Sequence, residues 1–265
     1  MSLPNFHTLP ARTSFYFVRH GESVSNSKGR IQGRTESPLS SIGRDHANAA
    51  GTWLAARDVD AIFTSPLSRC TQTARIIADT INVADGGNGL PPGRGCPAPR
   101  PVVLDDLKEL DTGEFTGRSL SQVAEEDPDL FARFRMHSWE AVPGAESVTS
   151  LAARARSVWT HLISGSVAGR RAIVCVTHGG LIQWLIKVTL NPEPDSWMPI
   201  FPADNCGIFQ FVAEPTVPAN AEAPSGGELP NGRGYFGVWR RINEVPYRDD
   251  SQRTGSDKPV EPPAL

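Results

Sequence analysis

The sequence predicts an α/β fold, a three-layer sandwich in which a mainly parallel central sheet lies between helices on both faces. Short runs of β-branched and aromatic residues alternate along the chain with segments whose apolar residues recur at helical spacing. The two most apolar runs, FYFV at 15–18 and AIVCV at 172–176, are each followed within three residues by a histidine and a glycine. Because ligands of such sheets bind beyond the strand ends, those histidines mark the candidate site.

The elements follow one another in a regular order. Strands are predicted at 13–18, 59–65, 101–107, 170–180, 205–212 and 234–242, the last two as edge strands. Helices are predicted at about 40–57, 66–81, from 119, 128–137, 147–164 and 181–190. Ser65 and Pro66 suit a helix start, and Ser119 with Gln122 forms a capping-box pattern. Leu39, Ile42, Ala47, Ala50 and Leu54 form the predicted apolar face of the first helix.

Residues 1–248 are predicted to form a single domain. Two aperiodic segments rich in glycine and proline, 84–101 and 213–233, are predicted as exposed loops. The last residues, 249–265, are predicted as a disordered tail.

The composition excludes several classes of partner. With 26 basic and 29 acidic residues, the chain of 265 residues is not expected to bind nucleic acid. We expect no membrane partner and a cytoplasmic location, because no apolar stretch has signal-peptide or membrane-span length. The four cysteines lack CxxC spacing and predict neither a disulfide framework nor a metal site. The oligomeric state stays open between a monomer and a homodimer.

Three predicted strand ends carry the charged residues of interest. They deliver Arg19 with His20, Arg69, and His178 with Gly179 to one edge of the sheet. Arginine binds phosphate oxygens bidentately, and helix N-termini add N–H donors, so this concavity fits a phosphoryl group. Alone, a strand-end histidine is more often structural, but two histidines among arginines favour catalysis, since a neutral imidazole can attack phosphorus.

Several motifs carry a family resemblance. They are, in chain order, RHGES at 19–23, Asn26, QGRTESPLSSIGRDHA at 32–47, SPLSRCTQTA at 65–74, LKELDTGEFTG at 107–117, PGAES at 143–147 and THGG at 177–180. Together they resemble the motifs of the histidine phosphatase superfamily, which also contains the cofactor-dependent phosphoglycerate mutases. They run in family order across about residues 13–242, with Glu36 and Ala145 as departures from the usual pattern.

The resemblance implies a role for each matching residue. His20 would be the phosphorylated nucleophile and Glu109 the proton donor. The phosphate contacts would come from Arg19, Asn26, Arg69, His178 and Gly179, with Gln32 and Gly33 in the pocket. Neighbouring carboxylates keep the assignment of the proton donor open, namely Asp105, Asp106, Asp111 and Glu114. No metal or other cofactor is expected, because the arginines supply the positive charge.

The motifs are compatible with three functions. The first is a phosphomonoester hydrolase, favoured because the pair Gln32–Gly33 resembles the phosphatase branch. The second is a cofactor-dependent phosphoglycerate mutase, disfavoured because residues 117–130 are acidic and contain Arg118 as their single basic residue. The third, of another class, is a noncatalytic module that binds a phosphorylated ligand.

The expected partner is a small phosphorylated organic substrate. Its specificity would come from a variable cap at about 115–142 and from the loop at 191–204, as in the family. The cap combines aromatic and basic residues that predict a partly nonpolar substrate: Phe115, Phe131, Phe134, Met136 and Trp139 with Arg133 and Arg135.

Overall fold

The computed structural model describes residues 4–6, 9, 11–86, 98–164, 171–191, 200–215 and 235–248. The strands of this part of the chain are β1 (Thr13–Arg19), β2 (Ala61–Thr64), β3 (Val102–Val103), β4 (Ala172–Thr177), β5 (Ile208–Pro215) and β6 (Tyr235–Glu244). Its α-helices are α1 (Ser41–Ala55), α2 (Ser68–Gly86), α3 (Leu120–Glu126), α4 (Pro128–His137), α5 (Val148–Ile163) and α6 (Gly179–Leu190).

The six strands form one sheet in the order β3-β2-β4-β1-β5-β6. The first four strands of that order are mutually parallel, while β5 pairs antiparallel with both β1 and β6. The predicted mainly parallel sheet is therefore confirmed. One detail was wrong: β5 is an interior strand, because it pairs with β1 on one side and β6 on the other.

Side chains of β1 alternate between two cores, one on each face of the sheet. Phe15 and Phe17 pack with residues of α5 and α6, whereas Tyr16 and Val18 pack with residues of α1 and α2. Trp159 of α5 meets both phenylalanines edge to face, with ring centroids 5.3 and 5.2 Å away. Because β1 is buried on both faces, its sequence contains the continuous apolar run FYFV, and this run predicted the strand clearly.

Adjacent parallel strands also set the register at the site. The Cα of Arg19 in β1 is paired with that of Thr177 in β4, so the residues that follow them leave the sheet side by side. The backbone N–H of His20 continues this ladder by donating to the Thr177 carbonyl at 2.9 Å.

Helix starts agree with the capping signals, with small shifts. The Ser119–Gln122 capping box is present, and the Asp127 side chain accepts from the Leu130 N–H ahead of α4. Helix α2 begins at Ser68, two residues later than predicted, because the Ser65 hydroxyl accepts from Leu67 N at 3.4 Å and leaves a short non-helical turn.

Two other predictions needed correction. Ile42 is 53% exposed, because the adjacent Gly43 occupies the face of α1 that meets the loop after β1. A Cβ on Gly43 would lie 2.0 Å from the Glu22 carbonyl oxygen, so that approach requires glycine. The third predicted strand is only Val102–Val103, since residues Asp105–Leu107 form a 3-10 turn.

Several predicted irregular segments fall partly or wholly outside the described residues. Within 84–101, helix α2 extends to Gly86, and 87–97 lie outside. Within 213–233, strand β5 extends to Pro215, and 216–233 lie outside, as does the whole segment 249–265. Among the helices that the structure describes, none has the length and apolarity needed to cross a membrane.

Candidate active site

The ends of three parallel strands bring two histidines and two arginines together. Arg19 and His20 close β1, Arg69 is the second residue of the helix after β2, and His178 follows β4. The ring centroids of His20 and His178 are 5.1 Å apart, and both residues are almost completely buried. The two imidazoles therefore lie within the span of one tetrahedral oxyanion.

The ring of His20 has a defined hydrogen-bonding state. Its Nδ1 lies 2.8 Å from the carbonyl oxygen of Gly21. A carbonyl can only accept, so Nδ1 carries the proton and Nε2 keeps its lone pair. Burial, together with the guanidinium groups of Arg69 and Arg19, lowers the pKa of His20 well below its ordinary value. The imidazole is therefore neutral and suited to nucleophilic attack.

The two arginines are held by backbone carbonyls instead of carboxylates. Arg69 donates to the carbonyls of Thr35 and Gly33, both at 2.8 Å, and Arg19 donates to the carbonyl of Ala203. The buried Nε atoms of Arg19 and Arg69 have no hydrogen-bond partner, and no carboxylate of the described residues forms an ion pair with either arginine. Two buried cations without a counter-ion favour binding of an anion here.

His178 is anchored from behind. Its Nε2 lies 2.9 Å from the Ser65 hydroxyl and 3.3 Å from the sulfur of Cys70. Burial and the charge of Arg69 lower the pKa of His178 well below its ordinary value. Because α6 begins directly after His178, the helix N-terminus and its positive dipole lie at the site.

Asn26 belongs to a small polar network beside His20. Its Oδ1 accepts from the Ser23 backbone at 3.2 Å, lies 3.0 Å from the Ser23 hydroxyl and 3.4 Å from Asn205 Nδ2. The Ser23 hydroxyl also lies 2.9 Å from Gln32 Oε1. With Oδ1 engaged in this way, the amide nitrogen of Asn26 is the group that can donate to a ligand.

Glu109 is fixed by the start of α6. Its carboxylate accepts from the backbone of Leu110 at 2.9 Å, Leu181 at 3.2 Å and Gly180 at 3.3 Å. A Cβ on Gly180 would lie only 2.6 Å from Oε1 of Glu109, so glycine is required for this approach. Sequence reasoning named Gly179 and missed Gly180, although THGG contains both.

Three of the four competing carboxylates bind groups other than those of the cavity. Asp105 pairs with Lys108, Asp106 accepts from Ser157, and Asp111 accepts from the backbone of Gly113. Of the five acidic candidates, Glu109 is the one that lines the cavity beside His20.

A cavity at these strand ends is lined by most of the predicted site residues. Those lining it are Arg19, His20, Asn26, Gln32, Gly33, Arg69 and Glu109, joined by Gly29, Arg30, Leu110, Thr112 and Trp139. His178 and Gly179 are not part of this lining; His178 lies against the His20 ring. Of these five additional residues, Leu110 and Thr112 belong to the motif LKELDTGEFTG and Trp139 to the predicted cap, whereas Gly29 and Arg30 lie outside the quoted motifs.

The predicted composition of the cap needs correction. Trp139 is the one aromatic cap residue that lines the cavity, while Phe115 is fully buried and packs against Phe134 and Trp139. Met136, like the neighbouring arginines at 133 and 135, is exposed and does not line the cavity. These three exposed residues lie on the side of helix α4 that faces away from the core.

Comparison with known proteins agrees with this geometry. The profile of the histidine phosphatase superfamily (branch 1) matches residues 15–220. A metal-independent phosphoserine phosphatase from Arabidopsis thaliana is 33% identical over 174 residues, 64% of this chain and 66% of the relative. A 2-carboxy-D-arabinitol-1-phosphatase from Triticum aestivum is 27% identical over 81% of this chain and 40% of its own length. This chain thus matches less than two thirds of either plant relative.

Solved structures show the same fold. A mycobacterial glucosyl-3-phosphoglycerate phosphatase in complex with VO3 superimposes with a TM-score of 0.61 at 27% identity, covering 77% of this chain and 93% of that one. Other relatives carry the name of probable phosphoglycerate mutases. The profile match extends over most of the chain, and the chain therefore belongs to the histidine phosphatase superfamily, branch 1.

Proposed function

We propose that the protein is a metal-independent phosphomonoester hydrolase that acts through a phosphohistidine on His20. The observation that supports this most directly is the pairing of a neutral imidazole with two buried guanidinium groups that form no ion pair with any carboxylate of the described residues. Such a site attracts a phosphoryl dianion and offers it a nucleophile.

The reaction follows from the geometry in two steps. The Nε2 lone pair of His20 bonds to phosphorus as the ester P–O bond breaks, and Glu109 gives its proton to the departing oxygen. Glu109 then takes a proton from water, whose oxygen attacks phosphorus as the P–N bond breaks. Inorganic phosphate leaves, and His20 and Glu109 return to their starting states.

The remaining site residues bind the transferring group. Arg19 and Arg69 hold its nonbridging oxygens, and the amide of Asn26 donates to one of them. His178, which lies against the His20 ring, and the N–H of Gly179 at the helix start are proposed as further donors, although neither residue lines the cavity. These preorganised donors stabilise the charge that spreads over the oxygens in the transition state.

Hydrolysis is favoured over mutase activity. Arg118, the single basic residue of 117–130, is ion-paired with Glu126 at 2.7 Å and is thereby engaged within the cap. It is not among the residues that line the cavity. A mutase would need a cation to hold the carboxylate of phosphoglycerate while the phosphoryl group is returned. The cap supplies none to the cavity, whose one further guanidinium besides those of Arg19 and Arg69 belongs to Arg30 of another segment.

The substrate that we propose is a small organic phosphate. The cavity joins an apolar wall of Leu110 and Trp139 to the polar side chain of Thr112. Three of the relatives named above are phosphatases of small phosphorylated compounds. Residues 115–142 would act as the specificity cap within a single domain of residues 1–248. The free, buried thiols of Cys70, Cys175 and Cys206 agree with a reducing, cytoplasmic location, which cell fractionation would test.

Trapping the covalent intermediate tests the proposal. The protein is mixed with ³²P-labelled phenyl phosphate, quenched in alkali and analysed for protein-bound label. We expect label on the wild type and on His137→Ala, a change at the exposed end of α4, and none on His20→Ala. Phosphate release without label on His20 contradicts the mechanism, and the absence of any release supports a noncatalytic binding module.

A further inference from the structure

An ion-pair cluster lies on the side of Glu109 that faces away from the cavity. Its members are Glu146 and Arg154, which are eight residues apart and have largely buried side chains, and Arg34 from a distant segment, whose side chain is partly exposed. We propose that this cluster positions Glu109 as the proton donor, by fixing the backbone from which its side chain projects. The inference rests on the proposed function, because it assigns a task to the same acid.

The carboxylate of Glu146 is fully engaged. Oε1 accepts from Arg154 Nε at 3.0 Å and from the Ser150 hydroxyl at 2.9 Å, while Oε2 accepts from Arg154 Nη2 at 2.6 Å and Arg34 Nη2 at 2.9 Å. Its side chain is 7% exposed and that of Arg154 is 12% exposed. The bidentate fork gives the pair a fixed geometry as well as attraction.

Both arginines continue from Glu146 to the acid segment. Arg34 Nε donates to the carbonyl of Glu109 at 3.2 Å, and Arg154 Nη2 reaches the same oxygen at 3.5 Å. Arg154 Nη1 also donates to the carbonyls of Asp106 at 3.0 Å and Lys108 at 2.5 Å. Three carbonyls of the segment 106–109 are therefore tied to one carboxylate through two guanidinium groups.

The side chain and the main chain of Glu109 are therefore held by different elements. The start of α6 holds the carboxylate, and the Glu146 cluster holds the main-chain carbonyl. The backbone of Glu146 adds a third tie, since its N–H donates to the Asp111 carbonyl at 2.9 Å. The position of a proton donor matters at this scale, because a displacement of about 1 Å can lower a rate by about 100-fold.

The test of this inference removes the negative charge of Glu146. In Glu146→Gln, one oxygen becomes an NH₂ group that cannot accept from a guanidinium, so the arginines lose the partner that aims them at the Glu109 carbonyl. Glu126→Gln is the matched control. It removes the carboxylate of the exposed ion pair between Glu126 and Arg118, and neither of these residues is among those that hold Glu109.

The measurement is kcat/KM for two substrates that differ in their need for an acid. Glycerol 2-phosphate releases an alkoxide, which must be protonated, whereas p-nitrophenyl phosphate releases a stable phenolate. We expect Glu146→Gln to lower kcat/KM about 10- to 100-fold for glycerol 2-phosphate and less than about 3-fold for p-nitrophenyl phosphate. Glu126→Gln should change neither value.

A second variant and a double variant keep the inference open to refutation. Arg34 has a 41% exposed side chain, so Arg34→Ala should fold and show the same substrate dependence to a smaller degree. In the Glu109→Gln background, Glu146→Gln should produce almost no further loss, because the residue that it positions no longer donates.

The outcomes separate the two proposals. If Glu109→Gln discriminates between the substrates but Glu146→Gln and Arg34→Ala lower both equally, the cluster is merely structural and the inference is wrong. A full effect of Glu146→Gln in the Glu109→Gln background would also overturn it. If Glu109→Gln itself fails to discriminate, the acid role in the proposed function is wrong and the inference falls with it.

Discussion

The Cα of Gly180 lies so close to Glu109 that a Cβ there would be 2.6 Å from the carboxylate oxygen Oε1. The second glycine of THGG therefore admits the acid to the start of α6. The first glycine is different, because a Cβ on Gly179 would meet its nearest atoms at 3.6 and 3.7 Å, which is ordinary contact.

Gly180→Ala should impair acid catalysis selectively. The new methyl group would lie 2.4 Å from Leu110 Cδ2 and 2.6 Å from Glu109 Oε1 and therefore displaces both side chains. Because the carboxylate moves, we expect kcat/KM for an alkyl phosphate to fall about 10- to 100-fold. The loss for p-nitrophenyl phosphate should be much smaller. The corresponding Gly179→Ala change should cost several times less for the alkyl substrate, and equal losses in the two variants would show that the close approach is not what matters.

Glu109→Gln should depend even more strongly on the leaving group. The amide cannot donate the proton that an alkoxide needs, so kcat/KM for glycerol 2-phosphate should fall about 10²- to 10⁴-fold. The p-nitrophenolate needs no acid, and kcat/KM for p-nitrophenyl phosphate should fall far less. Steady-state kinetics on both esters decide the matter, and equal losses would remove Glu109 from the acid role.

Two buried neutral histidines should make the protein sensitive to mild acid. Burial lowers the pKa of His20 and of His178, so below about pH 6.5 the unfolded chain binds protons that the native state does not. The free energy of unfolding is therefore greatest above that pH. It should decrease on acidification by up to about 1.4 kcal/mol per pH unit for each histidine.

Urea denaturation between pH 7.5 and 5, in buffers without phosphate, measures this slope. The carboxylates of Glu36 and Glu146 also have lowered pKa values, but they act below their ordinary value of 4.5 and so outside this window. Burial also lowers the pKa of His46, so that histidine adds to the slope in the same window. His178→Gln should therefore flatten the slope by between about one third and one half. A slope unchanged in that variant would mean that other groups take up the protons.

Anion binding should stabilise the protein through Arg69. A phosphate analogue such as vanadate binds the native state alone, so Tm should rise with its concentration. At 100 times Kd, the free energy of unfolding should increase by about 2.7 kcal/mol. Arg69→Ala removes one of the two guanidinium groups and should abolish most of that increase. Thermal denaturation with and without vanadate is the measurement, and an undiminished shift in Arg69→Ala would place the anion elsewhere.

Chelation should leave the activity intact. The guanidinium groups and histidines supply the positive charge that the phosphoryl group needs, so phosphatase activity should be the same before and after dialysis against EDTA. Restoration of lost activity by a divalent metal would contradict the proposed mechanism.

Much of the site could be predicted from sequence because the parallel strands are short, apolar and individually recognisable. Arg19, His20 and His178 stand at the ends of two such strands, and parallel strands end at one edge of the sheet. Arg69 follows the same logic, since it lies one turn beyond β2. Local capping signals, such as that of Ser119, were equally visible because they involve residues three apart.

Features that depend on distant segments meeting could not be predicted in this way. The interior position of β5 follows from its pairing with β1, about 190 residues earlier in the chain, and has no local signal. The cluster around Glu146 joins segments that are 112 residues apart at its Arg34 contact. The sequence prediction counted Arg133 among the residues that give the cap its specificity, but its side chain does not line the cavity. An α-helix turns adjacent residues to different sides, and composition alone does not tell which side faces a ligand.

The pairing of Arg19 with Thr177 has a consequence for the tolerance of the fold to insertions and deletions. Deleting one residue from the middle of β1 would reverse the alternation of side chains on one side of the deletion, so that either Arg19 turns to the other surface of the sheet or the aromatic side chains before the deletion enter the wrong core. Lengthening the connections at the opposite edge would leave the strand ends where they are. Length variation among homologous chains should therefore concentrate in those connections, and protein engineers who wish to add a binding peptide or a tag have their safest positions there.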